Sequence, residues 1–130
     1  MREILFRGKS ITSGEWHNSM TLCYGTVKRK RDWLFLEIQH GHVQIKQETL
    51  GQYTGLKDKN GVKIFEGDIV RIYRFGDPTL SHLYKSIEFN TYRWQLAKSD
   101  ILLCPMEIES WGIEIVGNIH DNPELLKENN

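Results

Sequence analysis

From Leu34 to Ile45 the apolar residues recur mostly with period two, Phe35 apart: Leu34, Leu36 and Ile38 against Glu37 and Gln39, then Val43 and Ile45 against Gln44 and Lys46. A repeat of two places apolar side chains on one face of an extended strand, whereas a helix needs a repeat near 3.6. No segment carries a long stripe of the second kind. β-Branched and aromatic residues concentrate in Thr21 to Val27, Trp33 to Ile38, Ile69 to Tyr73, Leu83 to Phe89, Tyr92 to Leu96 and Trp111 to Val116, as half-buried strands require. Turn residues separate them: Ser13-Gly14, the charged run Lys28 to Asp32, Asn60-Gly61, Gly76-Asp77-Pro78 and Asn90-Thr91. The chain is therefore expected to be mainly β, with six or more strands in antiparallel arrangement. Only its end reads as helical, with Asn122 as cap, Pro123 at the first helical position, Glu124 at the positive dipole end and Leu125 and Leu126 as anchors.

Composition narrows the class further. Hydrophobic residues make up 39% of the 130 residues and charged ones 26%, enough apolar material for a modest core and too little excess charge for a disordered chain. No apolar stretch approaches the roughly 20 residues of a bilayer span, and Met1 to Arg7 lacks the features of a secretory signal, so a cytoplasmic protein without a membrane partner is expected. Two distant cysteines, Cys23 and Cys104, supply neither a disulfide framework nor a zinc ribbon and read as reduced core thiols. The alternation gives way to a polar, Gly-punctuated stretch from Gln47 to Gly55, which suggests an N-terminal β region over 1–48 joined to a second region over 49–130, with one compact unit, which the length fits, as the alternative.

Charge is balanced overall, 17 against 17, but not along the chain. Residues 1–98 hold sixteen Lys or Arg against ten Asp or Glu, a net +6, and residues 99–130 hold one against seven, a net −6. Opposite charge on separate parts of one subunit can fix the orientation of a symmetric contact. A homo-oligomer is expected on this basis, with Glu107, Glu109 and Glu114 near a basic surface of the same or a neighbouring subunit and Trp111 and Ile113 supplying interface energy.

The densest signal runs from Gln52 to Val70. Asn60-Gly61 suits a tight turn, because Gly lacks a Cβ and Asn bonds its own backbone. Glu66-Gly67-Asp68 reads as a second turn, in which Gly67 supplies a backbone conformation that a Cβ would strain and the Asp68 carboxylate accepts amide hydrogens. Ile69, Val70 and Ile72 then begin a strand, an arrangement common in small SH3-like barrels.

With Met1 to Arg7 and Val116-Gly117-Asn118-Ile119-His120-Asp121-Asn122-Pro123-Glu124-Leu125-Leu126, this segment resembles the YopX family of phage and prophage proteins in order and spacing. Tyr73 to Ser110 carries no part of the signature. The resemblance implies a mainly β fold with an SH3-like small barrel over 49–130 and a short terminal helix, in an accessory protein of the bacterial host cytoplasm whose partner is a host or phage protein. It supplies no catalytic residues and no cofactor, since fold and family alone do not define an activity.

Other constellations yield to simpler readings. His40-Gly41-His42 has a spacing compatible with metal, and Cys23, His17 or His82 would have to complete the site, but a zinc site needs three or four convergent ligands and a Gly turn between strands explains the pair. Glu66 and Asp68 as an acid–base pair compete with the backbone's need for an acceptor at the turn. Cys23 as a nucleophile has no local signature, and Gly55 to Gly61 lacks the Gly-Lys-Ser/Thr ending of a phosphate loop. Lys28-Arg29-Lys30-Arg31 followed by Trp33 is the best argument for nucleic acid, because clustered cations displace counterions from phosphate and an adjacent aromatic can stack on a base; as a solvated hairpin tip the run needs no ligand. Trp16, Trp33, Trp94 and Trp111 are read as core or interface before platform. The resulting expectation is a non-enzymatic binding or assembly module, with a nucleic-acid binder using Lys28–Arg31 and a small enzyme of unrecognised chemistry as alternatives.

Overall fold

The computed structural model describes residues 3–27, 30–73, 82–90, 93–97, 103–104, 108 and 111–129, with backbone alone for 24–27, 30–33, 82, 90, 93 and 127–129. The chain forms two compact units, Met1–Tyr53 and Thr54–Asn130. The division falls inside a strand, a few residues beyond the expected junction at 48/49. Eleven strands follow one another among the described residues: β1 Phe6–Lys9, β2 Trp16–Ser19, β3 Leu22–Val27, β4 Lys30–Ile38, β5 Gly41–Ile45, β6 Gly51–Lys57, β7 Lys63–Phe65, β8 Asp68–Tyr73, β9 His82–Asn90, β10 Arg93–Leu96 and β11 Glu114–Asn118. The fold is mainly β, as the period-two pattern demands. No helix among the described residues is long and apolar enough to cross a membrane.

In the first unit β3, β4 and β5 form an antiparallel sheet in that order, with Leu36 opposite both Leu22 and Val43, and Leu34 opposite Ile45. Leu34, Leu36 and Ile45 make its core, with Phe6, Leu22, Val43 and Leu50 packed against it. The β1–β2 hairpin brings Phe6 to that core, and the backbone at Gly8 approaches so closely that a Cβ there would lie 2.4 Å from Ile45 Cδ1 and 2.9 Å from Ile45 Cβ. The stretch Gln47 to Gly55 lacks alternation because it begins as a 3-10 turn, Gln47–Thr49, and only then enters β6, where Tyr53 and Thr54 are buried in succession. Gly51 and Gln52 of β6 pair with Arg7 and Phe6 of β1.

The second unit is built on the antiparallel sheet β10-β9-β8-β11. Ile64, Val70, Ile72, Ile87, Leu96, Leu103, Ile108 and Ile113 form its core, joined at the margin by Leu56, Trp94, Trp111 and Ile115. The sheets of the described residues are open, and no closed SH3-like barrel forms among them. The short terminal helix expected from Pro123 onward is present as a 3-10 helix, Pro123–Asn129, but the Asn122 side chain is turned away from it. Asn122 Oδ1 instead accepts the Asn118 N–H at 3.2 Å, so the side chain reaches backwards to the end of β11 and leaves its carbonyl to receive the Leu125 N–H at 3.1 Å.

Candidate functional site

The signature from Gln52 to Val70 builds a turn system in the second unit, and its centre is Asp58, a residue that neither periodicity nor the Gly-containing turns single out. Asp58 is 6% exposed. Its Oδ1 accepts the N–H of Asn60 at 2.8 Å and of Val62 at 2.9 Å, and its Oδ2 accepts the N–H of Ile115 in β11 at 2.9 Å. One side chain thus closes the β6–β7 connection and fastens it to β11, its two oxygens together taking three main-chain N–H groups. The Gly61 N–H donates to the Asp58 carbonyl at 3.0 Å, so Gly61, at φ 82°, is the fourth residue of the turn. The legible signal is an Asp two residues before Asn and four before Val, an Asx-turn pattern.

Gly67 has φ 91°, in the region where a Cβ is strained. The space that a Cβ would occupy is itself ordinary, with Ile119 Cγ1 3.7 Å away. The Gly67 N–H donates to the Ile87 carbonyl and its carbonyl accepts the Ile119 N–H, at 3.0 and 2.8 Å. Asp68, 2% exposed, accepts the Phe65 N–H at 2.7 Å through Oδ2. Thr54 Oγ1 donates to the Ile64 carbonyl at 2.8 Å. Of the turn residues named from sequence, Asp68 thus has the main-chain acceptor role expected of it, and Gly67 is tied on both sides through its own N–H and carbonyl.

A polar cluster that the sequence does not reveal lies beside this turn. Arg71 stands directly opposite Glu114 and Tyr84 in the sheet, and its guanidinium donates to Glu114 Oε1. Tyr73 Oη donates to the same oxygen at 3.1 Å, Asn60 Nδ2 donates to Oε2 at 3.2 Å, and Lys59 Nζ lies 3.8 Å from Oε2. Lys59 and Arg71 also sit against the Tyr73 ring, 4.6 and 5.3 Å from its centroid. Burial pushes the Glu114 carboxyl up, but the hydrogen bonds from Arg71, Tyr73 and Asn60 and the Arg71 charge outweigh it and hold the group below its ordinary range. The hydrogen bond with Glu114 raises Arg71 in turn, against the lowering by its own burial. Five residues from three parts of the chain converge here, which is why sequence spacing does not show them.

The remaining candidates are dispersed. His40 lies in the β4–β5 turn, His42 on β5 opposite Glu37, His17 on β2 opposite Gly8, and Cys23 on β3 opposite Phe35; the His82 side chain is outside the described residues. Among the described residues no three His, Cys, Asp or Glu are grouped to hold a metal. Lys28 and Arg29 lie outside the described residues, and Lys30 and Arg31 are described in backbone alone, on β4. Glu107 and Glu109 also lie outside them. Ile113, expected at an interface, is 0% exposed within the unit's own core, so its area is covered by the chain itself, whereas Trp111 packs against that core and is half-buried.

A different basic and aromatic group occupies the first unit. Lys9 of β1 is paired with Trp16 of β2, and Arg7 with Asn18. The Trp16 ring has the Arg7 guanidinium carbon 5.0 Å from its centroid and Lys9 Nζ 5.9 Å from it.

The chain matches the family described as YopX protein over residues 5–127. It belongs to that family. The crystal structure of protein EF1440 from Enterococcus faecalis is similar at 26% identity, with a TM-score of 0.62, over 97% of this chain and 99% of that one. No curated protein matches the chain.

Proposed function

We propose that this YopX-family protein is a non-enzymatic binding or assembly module of a phage or prophage, acting in the cytoplasm of the bacterial host and forming a homo-oligomer. The supporting observation is the division of charge between its two units. Met1–Tyr53 carries eight Lys or Arg against five Asp or Glu, a net +3, and Thr54–Asn130 carries nine against twelve, a net −3. Two copies can therefore meet basic unit to acidic unit, and complementary charge steers and orients such encounters. Apolar area for a contact is available on the second unit at both ends of β9, where Leu83 is 44% and Phe89 50% exposed and the Phe89 ring stands edge-on to Trp94 at 5.0 Å. Rim charges set orientation while such side chains supply most of the energy. The turn carboxylates Asp58 and Asp68, engaged with main-chain amides, fit a scaffold rather than a reaction centre.

Sedimentation velocity at micromolar concentration tests the reading. A species heavier than the 15.3 kDa chain that dissociates as salt rises, and that weakens in Phe89→Ser, is the expected result. A single 15.3 kDa species at all salt concentrations overturns self-association.

A further inference from the structure

We infer that the outer face of the β1–β2 hairpin is a site for single-stranded nucleic acid, with Trp16 as its stacking surface and Arg7 and Lys9 as its phosphate contacts. The pairing register fixes which side chains share this face. Arg7 and Lys9 are two apart on β1, opposite Asn18 and Trp16, so all four project to one side of the hairpin. The other side holds Phe6, which packs on the Leu34–Leu36–Ile45 core, and Gly8, whose backbone lies against Ile45. The side bearing the cations is thus the one turned away from the core.

That face has the parts such recognition needs. Trp16 is only half-buried, as are Arg7 and Lys9, and Asn18 is exposed. Bases of any identity stack on an indole, and cations set at its face contact the backbone phosphates on either side. β2 is the terminal strand of its sheet. Lys46, exposed on the neighbouring segment, adds a third cation nearby, since its N–H donates to the Lys9 carbonyl at 2.9 Å. The asparagine amide offers both a donor and an acceptor to a base edge. An acidic peptide would satisfy the cations but make no specific use of the indole, so nucleic acid is the better match. The proposal uses none of the residues Lys28–Arg31 and does not depend on self-association.

The test is fluorescence-anisotropy titration of the full chain with a labelled oligo(dT) of about 20 nucleotides, from roughly 20 to 200 mM salt, the range over which phosphate contacts weaken. Binding should weaken with salt. Trp16→Leu should lower affinity about tenfold with little change in the salt slope, because stacking carries no counterion release. Trp16→Phe should recover most of the loss, which separates stacking from misfolding. Lys9→Gln and Arg7→Gln should each flatten the slope by about 0.7. Competition by poly-glutamate as effective as by unlabelled oligo(dT) would identify an acidic protein surface as the ligand and overturn the inference. It also falls if wild type binds no oligonucleotide at the lowest salt, or if replacing Lys28, Arg29, Lys30 and Arg31 by Ser abolishes binding while the Trp16, Arg7 and Lys9 variants leave it intact.

Discussion

The turn after β1 and the one after β5, in the first unit, are organised by hydroxyls, whereas the β6–β7 and β7–β8 turns of the second are organised by carboxylates. Ser10, 1% exposed, receives the N–H groups of Thr12 and Ser13 on Oγ at 3.3 and 3.2 Å. Thr49 accepts the Lys9 N–H at 2.9 Å and donates to the Lys46 carbonyl at 2.6 Å. In the second unit Asp58 alone takes three main-chain N–H groups, and Asp68 takes another. A hydroxyl is neutral and can be buried at modest cost, but it holds few amides and holds them weakly. A carboxylate binds more donors, and each bond is charge-assisted, at the cost of removing a charge from water. The family signature from Gln52 to Val70 falls where the carboxylates are, so it describes how the second unit is held together. The basic and aromatic face lies in the other unit.

The comparison fails if the two kinds of turn prove equally dispensable. Asp58→Ala strands the N–H groups of Asn60, Val62 and Ile115 and should cost on the order of 3–5 kcal/mol. Ser10→Ala should cost about 1 kcal/mol, since its amides lie near the surface. Urea denaturation of the two variants measures both.

A second contrast concerns what glycine does in each unit. Gly8→Ala meets Ile45 at close range and should cost on the order of 1–3 kcal/mol. Trimming the contact in the double variant with Ile45→Ala should show a favourable coupling, because the clash disappears with its partner. Gly67→Val should lose a comparable amount, on the order of 1–3 kcal/mol, through its φ of 91°. Shortening Ile119 should bring no relief, since the strain belongs to the backbone. Rescue at Gly67, or none at Gly8, would reverse the assignment.

An effect as small as that at Ser10 is expected at Glu114, which is 14% exposed in its side chain and ringed by donors. Glu114→Gln should cost about 1 kcal/mol at neutral pH, because Arg71 keeps an acceptor but loses its counter-charge. Since the folded carboxyl titrates below its ordinary value of 4.5, wild type should hold a constant advantage above that pH. The advantage should shrink as pH falls below 4.5 and through the folded pKa. Thermal melts of both proteins from about pH 3 to pH 7, spanning the carboxylate range, read this directly. An advantage that grows on acidification would contradict the ion-pair account.

Much of this architecture is legible in period and punctuation. Strands β3, β4, β5, β8, β9 and β10 follow the alternation and the β-branched clusters, and Gly67 and Asp68 behave as a Gly-Asp turn should. Strands β1 and β2 are not legible, because Phe6–Lys9 and Trp16–Ser19 are too short and polar to alternate, and β6 is hidden because two successive buried residues break its rhythm. Asn122 misleads because the N-cap pattern and a side chain reaching back to Asn118 look the same in sequence. The Glu114 cluster and the Arg7–Lys9–Trp16 group are invisible for another reason: strand register, which decides who faces whom, is fixed by pairing between strands and not by spacing along one of them.

If the signature residues hold the frame of the second unit, the first unit's core should stand without them. Native-state hydrogen exchange of Asp58→Asn tests it most directly, because Asn keeps one side-chain acceptor and so the fold, while giving up part of the three-amide clasp. The amides of Asn60, Val62 and Ile115 should exchange faster than in wild type, with those of β4 and β5 unchanged. Equal loss of protection in β4 and β5, or no change at Ile115, would contradict this expectation.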